Sequence, residues 1–530
     1  MAAVGRVPEG ACVADGKTFA RILAHERSKP TTASEDSLRF QRFISYNHIG
    51  SAAEGSVRIL NRRGFLTGVA AAATALTASQ STKRLQAAAP AANKHTLKIT
   101  EIEVHEILPP FHDYNATALF RYNGTGNQLR TIFILKTNTD LEGYGESWGP
   151  KPEPGRYDKY IGTSPFDWVN DPGNLPINMA VYDLMGKHLG VPAWKLIGPQ
   201  VRSWVPVSAW TVSQPPEAMA EEVVSVAKRG YNWMKFHVDT MQNVIDQTEA
   251  MQRVAPRGFK IHYDFNSDSN LNSTLPVFKE LEKFSIAGRL EDPIRGYPPP
   301  DYEGYRILRE KISLPILIHH GPVDFMMRKL VDGLMTGHAA IGRVNTVAGL
   351  AELNNIPFML QQAGGTINQA FLAHEAAAFK MATLDHVNLC HLWKDDVTVE
   401  TMPVIGSSVE VPNGPGLGVT IDRRKLEKYA SAPRPKQTRF LWRMRYHSGR
   451  IVYARFNPDA PGAAGSTAGF STRYLQNHIP GSGDGYRSRV VTDTWDAEGD
   501  PEFERIWQLT DSGPVWTNDQ GEQVSTRKTP

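Results

Sequence analysis

The feature that most constrains this chain is a recurring placement of charge at the ends of short apolar runs. It falls in Met234–His237 (Met-Lys-Phe-His), His262–Asn266 (His-Tyr-Asp-Phe-Asn) and Arg289–Pro293 (Arg-Leu-Glu-Asp-Pro). About 30 residues, the length of one βα unit, separate each segment from the next. Helical periodicity over 217–229, 241–254, 275–284 and 302–311 alternates with strand-like runs at 233–238, 260–264, 288–291 and 315–319. That order predicts a parallel α/β barrel, whose active sites assemble at the C-terminal ends of the strands. Period 2 in a strand puts Lys235 with His237 on one face, and His262 with Asp264 and Asn266 on one face. A lysine beside carboxylates that can hold a divalent metal is equipment for abstracting a proton next to a carboxylate.

The flanking segments read differently. Residues 97–147 alternate apolar and polar positions in runs such as Leu97–Ile107 and Arg130–Thr137, which predicts an antiparallel meander. A Gly/Asn/Tyr-rich loop, Phe111–Gly126, lies between the strands and has the character of a segment that closes over a site. A helix over Ile177–Leu189 ends at Gly190-Val191-Pro192. In the tail, Phe440–Tyr446 and Arg450–Phe456 predict a hairpin around His447-Ser448-Gly449. A net charge of +3 over 530 residues is too weak and too scattered for a nucleic-acid surface. The cysteines Cys12 and Cys390 give no internal disulfide framework.

Near the N-terminus, Asn61-Arg62-Arg63-Gly64-Phe65-Leu66 precedes an alanine-rich stretch. Paired arginines, then Phe-Leu, then a mildly apolar segment resemble a twin-arginine export signal, with small residues at Ala87–Ala92 for cleavage. The expectation is a protein exported to a bacterial periplasm, without a membrane span in its mature form. Residues 1–56 read as a disordered leader or as translation from an upstream start, and 57–95 as the signal region.

Residues 97 to about 430 resemble the enolase superfamily, in the branch of mandelate racemase and muconate lactonizing enzyme. The resemblance rests on Asn178–Gly198, Lys235-x-His237, Asp264-x-Asn266, Glu291-Asp292-Pro293 and Pro412–Gly418 in that order. It implies an N-terminal α+β capping domain (97–204), a modified (β/α)7β barrel of TIM type (205–410) and a return to the capping domain (411–433). A β-rich C-terminal extension (434–530) follows. It also implies three metal ligands at successive strand ends, here Asp264, Glu291 and His320, with the histidine where the family carries a carboxylate. Magnesium follows from the resemblance; a histidine ligand shifts preference toward Mn, Fe or Zn.

Lys235 is the expected base, with His237 beside it. Asn266, His319, Asp332, Gln361 and Lys394 are expected around the substrate. Gln361 stands where racemases of this branch carry a histidine, and an amide shuttles no proton, so a two-base racemase is disfavoured. A cycloisomerase is disfavoured because no clear lysine stands at the sixth strand end. The implied activity is a lyase that dehydrates a sugar acid or related hydroxy acid. The alternative is a degenerate barrel that binds a carbohydrate or acid ligand. The partner is a small-molecule carboxylate, and the sequence leaves self-association open.

Overall fold

A computed structural model describes residues 96–530, apart from 123–127, 268, 320–322, 436–437, 447, 457–485, 488–489, 518–521 and 527–530. The expected leader and export signal therefore lie outside the described residues. Strands β1 (Ile99–Ile107), β2 (Arg130–Thr137) and β3 (Glu142–Trp148) form the antiparallel sheet the alternation predicts, in the order β1-β2-β3. Its middle strand is buried almost throughout, because the helix Leu175–Leu189 packs close against the sheet. Gly143 and Gly145 on β3 permit that approach. A Cβ there would lie 2.2 Å from the Ala180 carbonyl oxygen and 1.9 Å from that of Pro176. Buried Asp183 on the same helix accepts hydrogen bonds from the backbone N–H of Tyr144 (3.0 Å) and of Leu417 (2.8 Å), and from Lys187 (2.7 Å). One carboxylate thus ties the first sheet to the Pro412–Gly418 return segment.

The barrel consists of β4 (Trp204–Val212), β5 (Trp233–His237), β6 (Lys260–Asp264), β7 (Ala287–Glu291), β8 (Ile316–His319), β9 (Gly333–Gly337), β10 (Phe358–Gln361) and β11 (His386–Val387). Neighbours pair in parallel around the ring, and β11 pairs with β4 to close it. A short β12 (Ser408–Glu410) adds to β4 in antiparallel fashion. α-Helices follow the strands from β4 through β10, so the (β/α)7β order holds. Asn243, Asn270 and Asp301 cap three of these helices by accepting backbone N–H bonds. On β5, Met234 and Phe236 point into the apolar layer beneath the helices, and the intervening Lys235 points into the barrel.

β9 reads Gly-Leu-Met-Thr-Gly and has little of the β-branched pattern that marks strands.

A buried ion triad locks the first sheet to the barrel. Arg130, with no exposed surface, reaches Glu146 at 2.8 Å and Asp396 at 2.7 Å. Both carboxylates also accept N–H bonds at the start of the helix Thr366–Ala378: Glu146 from Gly365 (2.9 Å) and Asp396 from Thr366 (2.5 Å). A Cβ on Gly365 would lie 1.7 Å from the Arg130 guanidinium. Gly365→Ala is therefore expected to lower stability by about 2–4 kcal/mol through a displaced buried ion pair, measured by urea unfolding. A loss below about 0.5 kcal/mol would show that the triad yields without cost.

After the helix Arg423–Ala430, the tail forms a second antiparallel sheet in the order β15-β13-β14-β16-β17. Its members are β13 (Phe440–Tyr446), β14 (Ile451–Phe456), β15 (Val490–Trp495), β16 (Val515–Thr517) and β17 (Gln523–Thr526). The expected hairpin is its β13–β14 pair. Among the described residues, no helix is long and apolar enough to cross a membrane.

Candidate active site

The register of the parallel strands assembles the site. Lys235 on β5 lies opposite His262 on β6, His237 opposite Asp264, and Asp264 opposite Glu291 on β7. The Lys235 ammonium is fully buried and lies 3.0 Å from Asp264 and 2.9 Å from Glu291. It also donates to Gln361 Oε1 at 2.7 Å, across the barrel on β10.

Glu291 is the centre of the cluster. Besides Lys235, it lies 2.7 Å from His262 Nε2 and 3.2 Å from His319 Nδ1. Burial works against its charge. The Lys235 ammonium and the two histidine contacts prevail and hold its carboxyl well below the usual range. Burial likewise pushes His262 down to about 4, with Arg289 nearby adding to the effect. Its Nδ1 accepts from Arg289 Nε at 3.1 Å, so the proton of the neutral ring sits on Nε2, facing Glu291. Next to Glu291, Asp292 has φ +44° and accepts the His319 backbone N–H at 2.9 Å. Burial and the two neighbouring carboxylates push its acid up to about 9.

Burial lowers the Lys235 pKa, but Asp264 and Glu291 outweigh it and the net shift is upward. The base expected at Lys235 is thus held as a cation by the carboxylates that the sequence placed near it. His237, two residues closer to the rim, shows the opposite balance. Its side chain is 27% exposed and its Nε2 lies 3.2 Å from Asp264, without the alignment of a hydrogen bond. Burial keeps its pKa below 6.5 despite Asp264, so the ring is neutral near pH 7. Trp210 packs edge-on against it at 5.4 Å.

The other expected residues are placed as follows. Asn266, at φ +54°, donates its backbone N–H to Asp264 at 3.0 Å and steadies that carboxylate. His319 stands beside Glu291, whereas His320 lies outside the described residues. Asp332 precedes β9, at the end of the barrel away from the cluster, where it binds Arg309 at 2.6 Å and the Ile316 N–H at 2.9 Å. The sixth strand begins one residue after Asp332, so its rim residue is His338. Lys394 is paired with Asp113 at 2.6 Å near the exposed surface. His262, Arg289 and His338 were not among the expected site residues. For His262 the signal was available, since it shares the face of Asp264.

A cavity of about 490 Å³ lies between the first sheet and the barrel rim, with Glu146, Trp148, Arg156, Asn174, His338 and Asn368 in its walls. Among the described residues, Asp264, Glu291 and His319 form the one group suited to a metal, with ligand atoms within 4.8 Å of one another. Two anionic carboxylates and an imidazole, all at strand ends, fit a divalent cation. The Lys235 ammonium now neutralises both carboxylates.

The family model for enolase C-terminal domain-like proteins matches residues 218–425. The D-gluconate dehydratase of Thermoproteus tenax is 27% identical over 283 residues, covering 48% of this chain and 56% of that protein. The D-xylonate dehydratase of Haloferax volcanii is 25% identical over 288 residues, covering 48% and 68%. In fold, the chain is similar to an enolase from Mycobacterium smegmatis crystallised with tartrate, at a TM-score of 0.54 and 20% identity over 63% of this chain and 92% of that one. It is also similar to an isomerase from Streptomyces coelicolor, at a TM-score of 0.51 and 24% identity over 63% and 97%. Over residues 218–425 the chain is thus similar to enolase C-terminal domain-like proteins, and its closed barrel, with charged ends on β5, β6 and β7, has the fold of these structural neighbours.

Proposed function

We propose that this barrel dehydrates a sugar acid, removing the proton alpha to the carboxylate and expelling the β-hydroxyl. The observation that carries the reading is the part-exposed His237 imidazole at the mouth, beside the buried Lys235 ammonium and the carboxylates of Asp264 and Glu291. The sugar-acid dehydratases among the relatives support the substrate class. Asp264, Glu291 and His319 would hold a divalent metal, which when bound supplies positive charge to the substrate's carboxylate oxygens. Magnesium is the metal of the resemblance, and the imidazole also suits Mn, Fe or Zn.

His237 takes the alpha proton on its neutral ring. Lys235, pinned by Gln361, keeps its ammonium and places fixed charge where the enolate develops. His338 stands on the opposite side of the rim, at the end of the sixth strand, and is the group that would give a proton to the departing hydroxyl, which leaves as water. The resulting enol tautomerises to a keto acid, and no oxidant or reductant is consumed. The test is dehydration of D-gluconate, D-xylonate and related acids with Mg or Mn, together with solvent deuterium exchange at the alpha carbon.

A second reading has an observation of its own. An ammonium seated between both carboxylates also suits a metal-free barrel that binds an acid or carbohydrate. Metal analysis separates the two: stoichiometric divalent metal supports the dehydratase, and none under saturating supply supports the binding barrel.

We also propose export by the twin-arginine route, supported by Arg62-Arg63 and the alanine-rich stretch that follows. N-terminal sequencing of periplasmic protein should find a start between about residues 80 and 95. A mature chain that retains Arg62 and Arg63 would refute it.

A further inference from the structure

The C-terminal sheet lies beyond the family match, which ends at residue 425. The Streptomyces coelicolor isomerase is used to 97% of its length by 63% of this chain, so little of that protein remains to correspond to this sheet. Its contacts nevertheless fall on the segments that build the site. The Tyr486 hydroxyl donates to the Phe265 carbonyl at 2.9 Å, one residue after Asp264. Gln242 and Met241, on the loop that follows His237, exchange hydrogen bonds with Thr492 on β15 at 2.7 and 3.3 Å.

The most elaborate contact is to the segment Phe111–Tyr122. Arg121 reaches Asp496 at 2.5 Å and the Thr494 hydroxyl at 3.2 Å, and lies 4.9 Å over the Phe440 ring. The Trp442 indole N–H donates to the Arg121 carbonyl at 3.4 Å. That segment packs beside the mouth. Ala118 and Leu119 are buried in one apolar cluster with Trp210 and Met335. Trp210 packs on His237, and the Met335 sulfur is 3.7 Å from the Lys235 ammonium.

We propose that Arg121 is a positioning residue through which the C-terminal sheet holds Phe111–Tyr122 down over His237 and Lys235, and so controls which molecules reach them. The inference rests on the carboxylate cluster being the working site. Its test uses no substrate, so its failure is distinguishable from failure of the dehydratase reading. A planar guanidinium with paired N–H groups suits this clamp, and a lysine ammonium would keep the charge while losing the fork.

In the full chain, Arg121→Ala is expected to speed amide hydrogen exchange of the 111–122 peptide about tenfold, and Arg121→Lys less. Exchange in the helix Leu175–Leu189 should be unchanged. Diethyl pyrocarbonate, which acylates neutral imidazole, should modify His237 about tenfold faster in Arg121→Ala than in the parent, read by peptide mass spectrometry. Asp496→Asn should move both readouts in the same direction. Unchanged exchange over 111–122 in Arg121→Ala would overturn the proposal. Faster exchange with an unchanged His237 modification rate would overturn it equally, because the segment would then move without governing access.

Discussion

Glu291→Ala is expected to abolish measurable divalent-metal binding and to lower folding stability by about 3–5 kcal/mol, because it leaves a buried ammonium without its second counterion. The first effect follows from the ligand set, in which Glu291 and Asp264 are the two anions. The second follows from the three cationic or N–H partners that converge on Glu291: Lys235, His262 and His319. Metal analysis and urea unfolding of the purified variant read the two effects separately. Metal retained at one equivalent would remove Glu291 from the ligand set. Lys235→Met alone should also destabilise, since Asp264 and Glu291 would then face each other without the ammonium. The double variant Lys235→Met/Glu291→Ala should lose less than the sum of the single changes, the signature of a directly coupled pair.

His237→Asn is expected to lower alpha-proton exchange on a turned-over sugar acid by about 10³-fold, since an amide accepts no proton at neutral pH. Folding and metal content should stay near parental values, because the ring is the part-exposed member of the cluster. The pH profile follows from the direction of the shift. The base must be neutral to act, and burial holds the folded-state pKa of His237 below 6.5. Exchange should therefore be lost as pH falls through that lowered value and should be level from there toward neutral pH. Asparagine at 237 should remove this acidic limb together with the rate. If His237→Asn retains exchange while Lys235→Met abolishes it, the base is Lys235, and its ammonium must then be displaced from the carboxylates during turnover.

The long-range order of this fold was legible because period and spacing survive without three-dimensional information. Lys235, His237, Asp264 and Glu291 were readable as one set, since strand period and the recurring βα interval both put them on a single rim. The C-terminal hairpin was legible from its alternation, but its three additional strands were not. The Gly-Leu-Met-Thr-Gly strand was also obscure, and with it His338, because burial between neighbours and not β-propensity makes that segment a strand. Asp332 looked like a rim residue only while the start of that strand was unknown.

The sequence by itself determined that acidic and basic groups would meet at one barrel mouth. Which of them carries the proton was decided by tertiary structure alone, because protonation depends on burial and on charges brought together from distant segments. Lys235 sits 2.9–3.0 Å from two carboxylates supplied by β6 and β7, so its ammonium is favoured. His237 is desolvated and lacks an aligned partner for Nε2, so its neutral ring is favoured. Nor does any local pattern connect Arg121 with Asp496, which lie 375 residues apart. That the tail packs against the segments at the barrel mouth is a property of packing, where contacts distant in the chain place a surface sheet beside the barrel rim.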